Sequence, residues 1–235
     1  YSVAKNKFKL VDSIKLGDKW PVRISPTGIC INDAKNTMYV VSKENNMLYE
    51  IKLETKKQTT YPLGAEAYTC VLSPDQKQLF ISLWGADQLL VWDTEKRQLI
   101  KRLAIGDNPN ELLLTKNGKY LYVANSNDNS VAVVNTKELA IEEVLNTALF
   151  PNAPNGSTAN GLALNTTETK LYVANADNNN LAVFDVSNKG FSKSIGFIPT
   201  GWYPTKSAKD AAIKLCILTV GFPLVYIGIE QIGRA

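Results

Sequence analysis

The chain has 235 residues, of which 45% are hydrophobic and 20% charged, a composition typical of a globular domain. Its formal net charge of +4 is small, and the chain contains no run of basic residues. Charge alone therefore indicates neither a nucleic-acid nor a membrane partner. Histidine is absent, which excludes a Ser-His-Asp triad and the commonest zinc ligand among these residues. The three cysteines form no CxxC pair, so neither a zinc knuckle nor a disulfide framework is indicated.

A repeated strand pattern runs along the chain. A first short run ending at a glycine, Ile14–Gly17, is predicted to be the outer strand of a blade whose earlier part is missing. Four β-runs then follow with aromatic anchors at Tyr39, Phe80, Tyr122 and Tyr172, which lie 41, 42 and 50 residues apart. A turn signal precedes each anchor and a second apolar run follows it, and three of the repeats close on a further run that ends at a glycine.

Four short strands per unit, at a period near 40 residues, are typical of a β-propeller. We therefore predict an all-β fold of four-stranded blades, with full repeats over 21–64, 65–106, 107–148 and 149–201 and parts of two more. A β-sandwich with coincidental spacing is the alternative. Residues 206–235 do not fit the repeat; they are predicted to be a divergent blade or an aberrant tail, and the longest apolar run there is too short to span a bilayer.

Two segments carry a Tyr-Val-Ala-Asn signature, Leu121–Asn135 and Leu171–Asp185. They resemble the YVTN repeat of YncE-like β-propellers, over residues 1–205. Leu145–Thr158 and Gly196–Thr205 are most similar to the propeller half of bacterial proteins that join such a domain to an alkaline-phosphatase-superfamily phosphoesterase. The resemblance implies a seven-bladed parent, exported to the periplasm or cell exterior. It implies no phosphatase chemistry for these residues, because none of that domain's metal-ligand positions is among them.

Propeller geometry places the blade-to-blade loops and the loops between second and third strands on one face. The candidate ligand-binding residues lie in or beside those loops. They are Trp20, Glu66, Tyr68, Trp84, Asn108, Asn110, Asn127, Asp128, Asn155, Asn160, Asp177, Asn178, Trp202 and Tyr203. Aromatic and carboxamide side chains on an exposed face suit stacking of a sugar, a base or a peptide side chain. The alternative is structural: the Asn and Asp clusters form turns and the tryptophans wedge adjacent blades together.

The spacing of 50 residues isolates an insertion of about eight residues within 148–158. Insertions into a repeat commonly lie on the binding face, and its two prolines stiffen it. Cys30 and Cys70 lie nine and ten residues before their anchors, at near-equivalent places on neighbouring inner strands. Both are predicted to be small buried apolar side chains.

These features predict a non-catalytic binding or scaffolding propeller rather than an enzyme, with no cofactor. Its partner would be a small ligand, a peptide, a glycan or a neighbouring phosphoesterase domain, without membrane insertion. Two alternatives stay open. One is a lactonase-like hydrolase with Ca²⁺ held by Glu66, Asn110 and Asn160, since oxygen ligands suit Ca²⁺, although no EF-hand spacing is present. The other is salt-dependent binding of single-stranded DNA.

Overall fold

Antiparallel strands dominate the computed structural model, which describes residues 2–4, 7–10, 12–18, 23–210, 214–219 and 225–228. Short 3₁₀ turns span Asp33–Lys35 and Trp84–Ala86. In chain order the strands are β1 Ser2–Ala4, β2 Lys7–Lys9, β3 Pro26–Asn32, β4 Thr37–Ser42, β5 Met47–Lys52, β6 Gln58–Pro62, β7 Cys70–Leu72, β8 Gln78–Leu83, β9 Gln88–Asp93, β10 Gln98–Ala104, β11 Pro109–Leu114, β12 Tyr120–Asn125, β13 Ser130–Asn135, β14 Ala140–Asn146, β15 Ala159–Leu164, β16 Lys170–Asn175, β17 Asn180–Asp185, β18 Lys193–Pro199, β19 Pro204–Asp210, β20 Lys214–Thr219 and β21 Val225–Gly228.

Four sheets of four consecutive strands form the blades, which we number 1 to 4: β3–β6, β7–β10, β11–β14 and β15–β18. Each is an antiparallel meander, because every strand pairs with the strand that follows it in the chain. Strands β19–β21 form a three-stranded sheet and β1–β2 a two-stranded one. The prediction of an all-β fold built from four-stranded propeller blades is confirmed.

The core lies between the blades rather than inside any one of them. In blade 3, Leu121, Tyr122 and Val123 are successive residues of β12 and all are fully buried, so this strand is covered on both faces. Tyr122 belongs to a cluster with Leu171 and Phe184 of blade 4. Fully burying an aromatic or branched side chain contributes about 1.5–3 kcal/mol, so the contact between neighbouring blades accounts for much of the stability. Outer strands such as β10 are mostly exposed.

The loops between second and third strands use one backbone device in all four blades. Asn46, Asp87, Asn129 and Asn179 each precede the third strand and have a positive φ between 51° and 55°. Asn and Asp tolerate this left-handed conformation better than other residues with a side chain, because their short polar groups bond locally. Turn formation, which we predicted as an alternative role of the Asn and Asp clusters, is therefore one role of these four residues.

The described N-terminal residues depart from one expectation. Residues 12–16 form no strand, although Ile14–Gly17 is predicted to be an outer one. Ile14 and Leu16 instead pack against Val40 and Tyr49 of blade 1, and the backbone oxygen of Lys15 accepts a hydrogen bond from Gln58. The burial of its apolar side chains thus attaches the segment to blade 1. Among the described residues, no partner strand completes a hydrogen-bonded ladder with it.

Candidate functional site

Loops from neighbouring blades meet on one face, which we call the rim. The Gly85 amide donates to the Glu66 oxygen at 3.2 Å, and the Ser126 amide donates to the Asn108 oxygen at 3.1 Å. In each case a loop between second and third strands contacts the loop that enters its own blade. The amide of Tyr203, in the loop that leaves blade 4, donates to Asn179 Oδ1 in the loop between the second and third strands of that blade, at 2.8 Å. These bonds hold the loops of the rim in fixed relative positions.

An open groove of about 570 Å³ lies in the rim over blades 1, 2 and 3; we call it the rim groove. It is lined by Asn46, Gly64, Ala65, Glu66, Trp84, Gly85, Asp87, Asp107 and Asn108. Three predicted site residues therefore meet there: Glu66, Trp84 and Asn108. The groove combines one large aromatic side chain with carboxylates and carboxamides, the side chains that commonly bind a polyhydroxylated ligand.

Lys43 connects two of these residues. Its ammonium lies 3.7 Å from Glu66 Oε2 and 3.7 Å from the centroid of the Trp84 ring. The ion pair and the cation–π contact place a positive charge beside the Glu66 carboxylate. All three side chains are only half buried, so a ligand can reach them. A carboxylate next to a cation and an aromatic face can deprotonate water and stabilise a nearby negative charge.

The opposite wall of the groove is acidic and tightly bonded. Asn108 donates through Nδ2 to the Trp84 oxygen at 2.8 Å, and its amide donates to Asp87 Oδ1 at 2.9 Å. The Asp107 amide donates to Asp128 Oδ2 at 3.1 Å. Loss of hydration, followed by the nearby Asp87 and Asp128 carboxylates, raises the pKa of the exposed Asp107 carboxyl above its ordinary value.

The raised pKa of Asp107 predicts how the stability of the folded protein depends on pH. A raised pKa means that the folded protein binds the proton at Asp107 more tightly than the unfolded chain, so ionisation of this carboxyl destabilises the fold. Asp107→Asn should unfold at a higher urea concentration than the parent at pH 7. The difference should disappear below about pH 3, where the carboxyl is protonated in both states. Glu44→Gln, an exposed rim residue, is the control; equal midpoints for parent and Asp107→Asn at pH 7 would contradict the prediction.

Two more predicted residues lie next to the groove. Asn127 donates through Nδ2 to Asn108 Oδ1, and Asp128 accepts from Ser130 at 2.6 Å as well as from Asp107. The absence of a side chain at Gly106 lets these residues approach closely, because a Cβ at this position would lie 2.3 Å from Asn125 Nδ2 and 2.8 Å from Asp128 Oδ2. Asn127 and Asp128 therefore support the acidic wall rather than line the groove.

The other predicted residues are spread along the rim and inner strands. Asn110 is buried and accepts the Glu111 amide at 2.6 Å, while Asn160 has a buried Oδ1 with no protein hydrogen-bond partner. Neither Asn110 nor Asn160 lines the rim groove with Glu66, and the described residues contain no cluster of three or more Cys, Asp or Glu placed to hold a metal ion.

A second group lies over blade 4 and the three-stranded sheet. Asp177 accepts from the Thr158 hydroxyl, and Asn178 is exposed beside it. Asn155 is exposed in the insertion, and Trp202 is 66% exposed. The insertion is held by Asn129, whose Oδ1 accepts the amide of Ser157 at 2.7 Å. Trp20 lies outside the described residues.

Tyr68 lies in the loop that enters blade 2, Glu111 lies in β11, and Tyr203 lies in the loop before β19. Burial is the largest cause that raises the pKa of Tyr68, followed by the nearby Glu111 carboxylate and then Tyr203. Tyr68 and Tyr203 were predicted as site residues, whereas Glu111 was not.

The polar groove residues that the sequence did not predict are Asn46, Asp87 and Asp107, together with Lys43 beside the groove. Each belongs to a loop that the repeat assigned to the rim, so their position was visible in the sequence. Their selection was not, because charged and carboxamide residues occur in every rim loop. The contacts of Lys43 with Glu66 and Trp84 distinguish it from the other lysines of the rim loops, and the sequence does not show those contacts.

Comparison with known proteins identifies the type of propeller. The sequence model of a family described as a lactonase, 7-bladed beta-propeller, matches residues 63–210. A search of curated proteins gave no match. Within the described ranges, no helix has the length and apolarity needed to cross a membrane.

Solved structures share the fold at low sequence identity. Virginiamycin B lyase from Staphylococcus aureus has a TM-score of 0.66 and 20% identity, over 88% of this chain and 71% of that one. A putative 6-phosphogluconolactonase from Bacteroides uniformis has 0.67 and 17%, over 81% and 62%. A periplasmic gluconolactonase from Pseudomonas aeruginosa has 0.68 and 17%, over 82% and 62%. This chain thus spans less than two thirds of the length of either lactonase.

The prediction that this chain is not an enzyme is wrong. The family whose model matches 63–210 is described as one of lactonases. The absence of histidine supported the prediction, but it removes only one class of general base. Carboxylates also activate water, and the rim groove contains several. The more specific resemblance to YncE-like and phosphoesterase-linked proteins stays a prediction.

Proposed function

This chain belongs to the lactonase family of seven-bladed β-propellers, and from that membership we propose that it hydrolyses a lactone ring in the rim groove. The observation that carries the proposal is an overlap. Every residue lining the groove except Asn46 lies inside the range 63–210 that matches the family. The groove is also open to solvent and holds both a carboxylate and a neighbouring cation, the two groups that lactone hydrolysis needs.

Glu66 is proposed as the general base. It would take a proton from a water molecule that attacks the lactone carbonyl carbon, and the resulting oxyanion would be stabilised by the Lys43 ammonium. Collapse of the tetrahedral intermediate breaks the bond to the ring oxygen, which takes the proton back from Glu66. The product is a hydroxy acid, which ionises and releases one proton to the solvent. Because the 235 residues include no histidine, a carboxylate is the natural base.

The substrate class proposed is a polyhydroxylated, sugar-derived lactone. Trp84 offers a flat apolar surface to the C–H face of a sugar ring. Asn46 and Asn108 can donate and accept hydrogen bonds, and Asp87 and Asp107 can accept them from hydroxyls. A small lactone of one ring fits an open groove of about 570 Å³.

Proton release tests the proposal. The purified chain, mixed with D-glucono-δ-lactone at pH 6.5 in weak buffer with a pH indicator, should release protons faster than the uncatalysed reaction. The same lactone should quench tryptophan fluorescence, and Trp84→Phe should remove the part of the quenching that arises in the groove. Proton release at the uncatalysed rate together with unchanged fluorescence would overturn the proposal.

Export and protein partners extend the proposal beyond the groove. The periplasmic gluconolactonase among the structures with this fold supports a location in the periplasm or outside the cell. We keep the YncE-like character and a neighbouring phosphoesterase domain as proposals, supported by the Tyr-Val-Ala-Asn segments Leu121–Asn135 and Leu171–Asp185. Fractionation of the producing cell tests the first, and the sequence of the gene on either side of this chain tests the second.

A further inference from the structure

Two cysteines face each other across the boundary between blades 1 and 2. Cys30 lies in β3 and Cys70 in β7, the inner strands of their blades, and their Sγ atoms are 3.4 Å apart. Both are free thiols, Cys70 buried and Cys30 half buried. A disulfide bond requires about 2.05 Å between the sulfurs, so a change of side-chain rotamer has to bring them about 1.4 Å closer.

The backbone holds the two strands close together at this point. Gly28 has no side chain, and a Cβ there would lie 2.6 Å from Thr69 Cα and 2.9 Å from the Cys70 nitrogen. Thr27 Oγ1 also donates to the Ala67 oxygen at 3.0 Å. Both contacts join the strand that carries Cys30 to the segment that carries Cys70. The sulfurs are therefore neighbours because of a fixed backbone approach and not because of one flexible side chain.

We propose that Cys30 and Cys70 form a disulfide that cross-links blade 1 to blade 2 when a disulfide oxidant such as oxidised glutathione is present. The bond would connect neighbouring blades at their inner strands, while Lys43 and Glu66 connect the same blades at the rim. A cross-link closes a loop of about 40 residues, which removes conformational entropy from the unfolded chain and stabilises the folded one.

The chemistry is a thiol–disulfide exchange in two steps. The Cys30 thiolate attacks one sulfur of oxidised glutathione, forms a mixed disulfide and releases one glutathione thiolate. Cys70 then loses its proton and attacks the Cys30 sulfur, which forms the Cys30–Cys70 bond and releases the second glutathione. Two thiols are oxidised and one oxidant disulfide is reduced to two thiols.

Cys30 is the nucleophile of the first of these two steps. The hydrogen bond with Cys30, together with burial, raises the pKa of the Cys70 thiol well above its ordinary value, so Cys70 stays protonated. Cys30 is also the more accessible of the two. Glutathione is therefore expected on Cys30 before the cross-link closes.

The test uses the full chain with Cys216→Ser, which leaves Cys30 and Cys70 as its cysteines. After reduction and then incubation with oxidised glutathione, thiols are counted in denaturant and tryptic peptides are mapped by mass. The count should fall from two to zero, with the two cysteine peptides joined and no bound glutathione. The Tm should rise by about 5–10 °C, and dithiothreitol should reverse the rise.

Cys30→Ser in the same background is the matched control and should show no rise in Tm. Parent chain mapped in the same way keeps the test valid if Cys216→Ser does not fold. Persistent free thiols, glutathione retained on Cys30, or disulfides formed only between two chains would each overturn the proposal. The readouts do not depend on lactone hydrolysis, so this proposal and the proposed function can fail separately.

Discussion

Glu66→Gln should lower kcat/KM for hydrolysis of D-glucono-δ-lactone at least about 100-fold, in the range typical of a lost general base. Glutamine keeps the size and hydrogen-bonding capacity of the side chain but cannot take a proton from water. Most of the loss should therefore fall on kcat, because the substrate contacts of Trp84 and Asn108 are unchanged. Initial rates of proton release across a range of lactone concentrations separate kcat from KM.

Lys43→Met and Glu95→Gln complete the experiment. Lys43→Met removes the cation but retains an unbranched side chain one atom shorter, and should lower kcat about 10-fold if Lys43 stabilises the oxyanion. Glu95 lies in the turn after β9, away from the groove-lining residues, so Glu95→Gln should retain parental activity. If Glu66→Gln behaves like Glu95→Gln, Glu66 is not the base and another carboxylate of the groove, such as Asp107, has to be considered.

The blades could be predicted because their signals are local and repeated. Tyr39, Phe80 and Tyr122 stand at the same place in each repeat, and all three are buried in the second strand. A strand that packs between two other blades needs apolar side chains on both faces, which gives the continuous apolar runs seen in the sequence. Four such runs at a period near 42 residues leave few other folds.

The site could be predicted only to the level of a face. The repeat assigns Glu66, Trp84 and Asn108 to the rim, but it assigns eleven other candidates there as well. What brings these three together is the contact between loops of different blades, such as Asn108 with Trp84, and this depends on side-chain positions that strand patterns do not encode. The same holds for Cys30 and Cys70, whose equivalent places were visible but whose sulfur–sulfur distance was not.

A buried carboxylate, that of Glu50, joins blades 1 and 2 away from the rim. Glu50 of β5 is only 4% exposed, and it accepts from Arg97 Nη2 at 2.9 Å and from Arg97 Nε at 3.1 Å. The Tyr61 hydroxyl donates to Glu50 Oε2 at 3.3 Å. This bidentate ion pair runs from blade 1 to the turn before β10 of blade 2. It therefore fixes the relative position of the two blades and neutralises a buried charge.

Glu50→Ala should therefore lower the free energy of unfolding by about 2–3 kcal/mol. Removing one partner of a buried pair typically costs about 3–5 kcal/mol, and the expected loss is smaller because Arg97 is half exposed and can be hydrated again. Urea unfolding followed by tryptophan fluorescence measures the change, with Glu44→Gln as an exposed control expected within about 0.5 kcal/mol of the parent. The double variant Glu50→Ala with Arg97→Ala should recover part of the loss, because no unpaired guanidinium remains. A loss no larger than that of the control would mean that the Glu50–Arg97 pair does not hold blades 1 and 2 together.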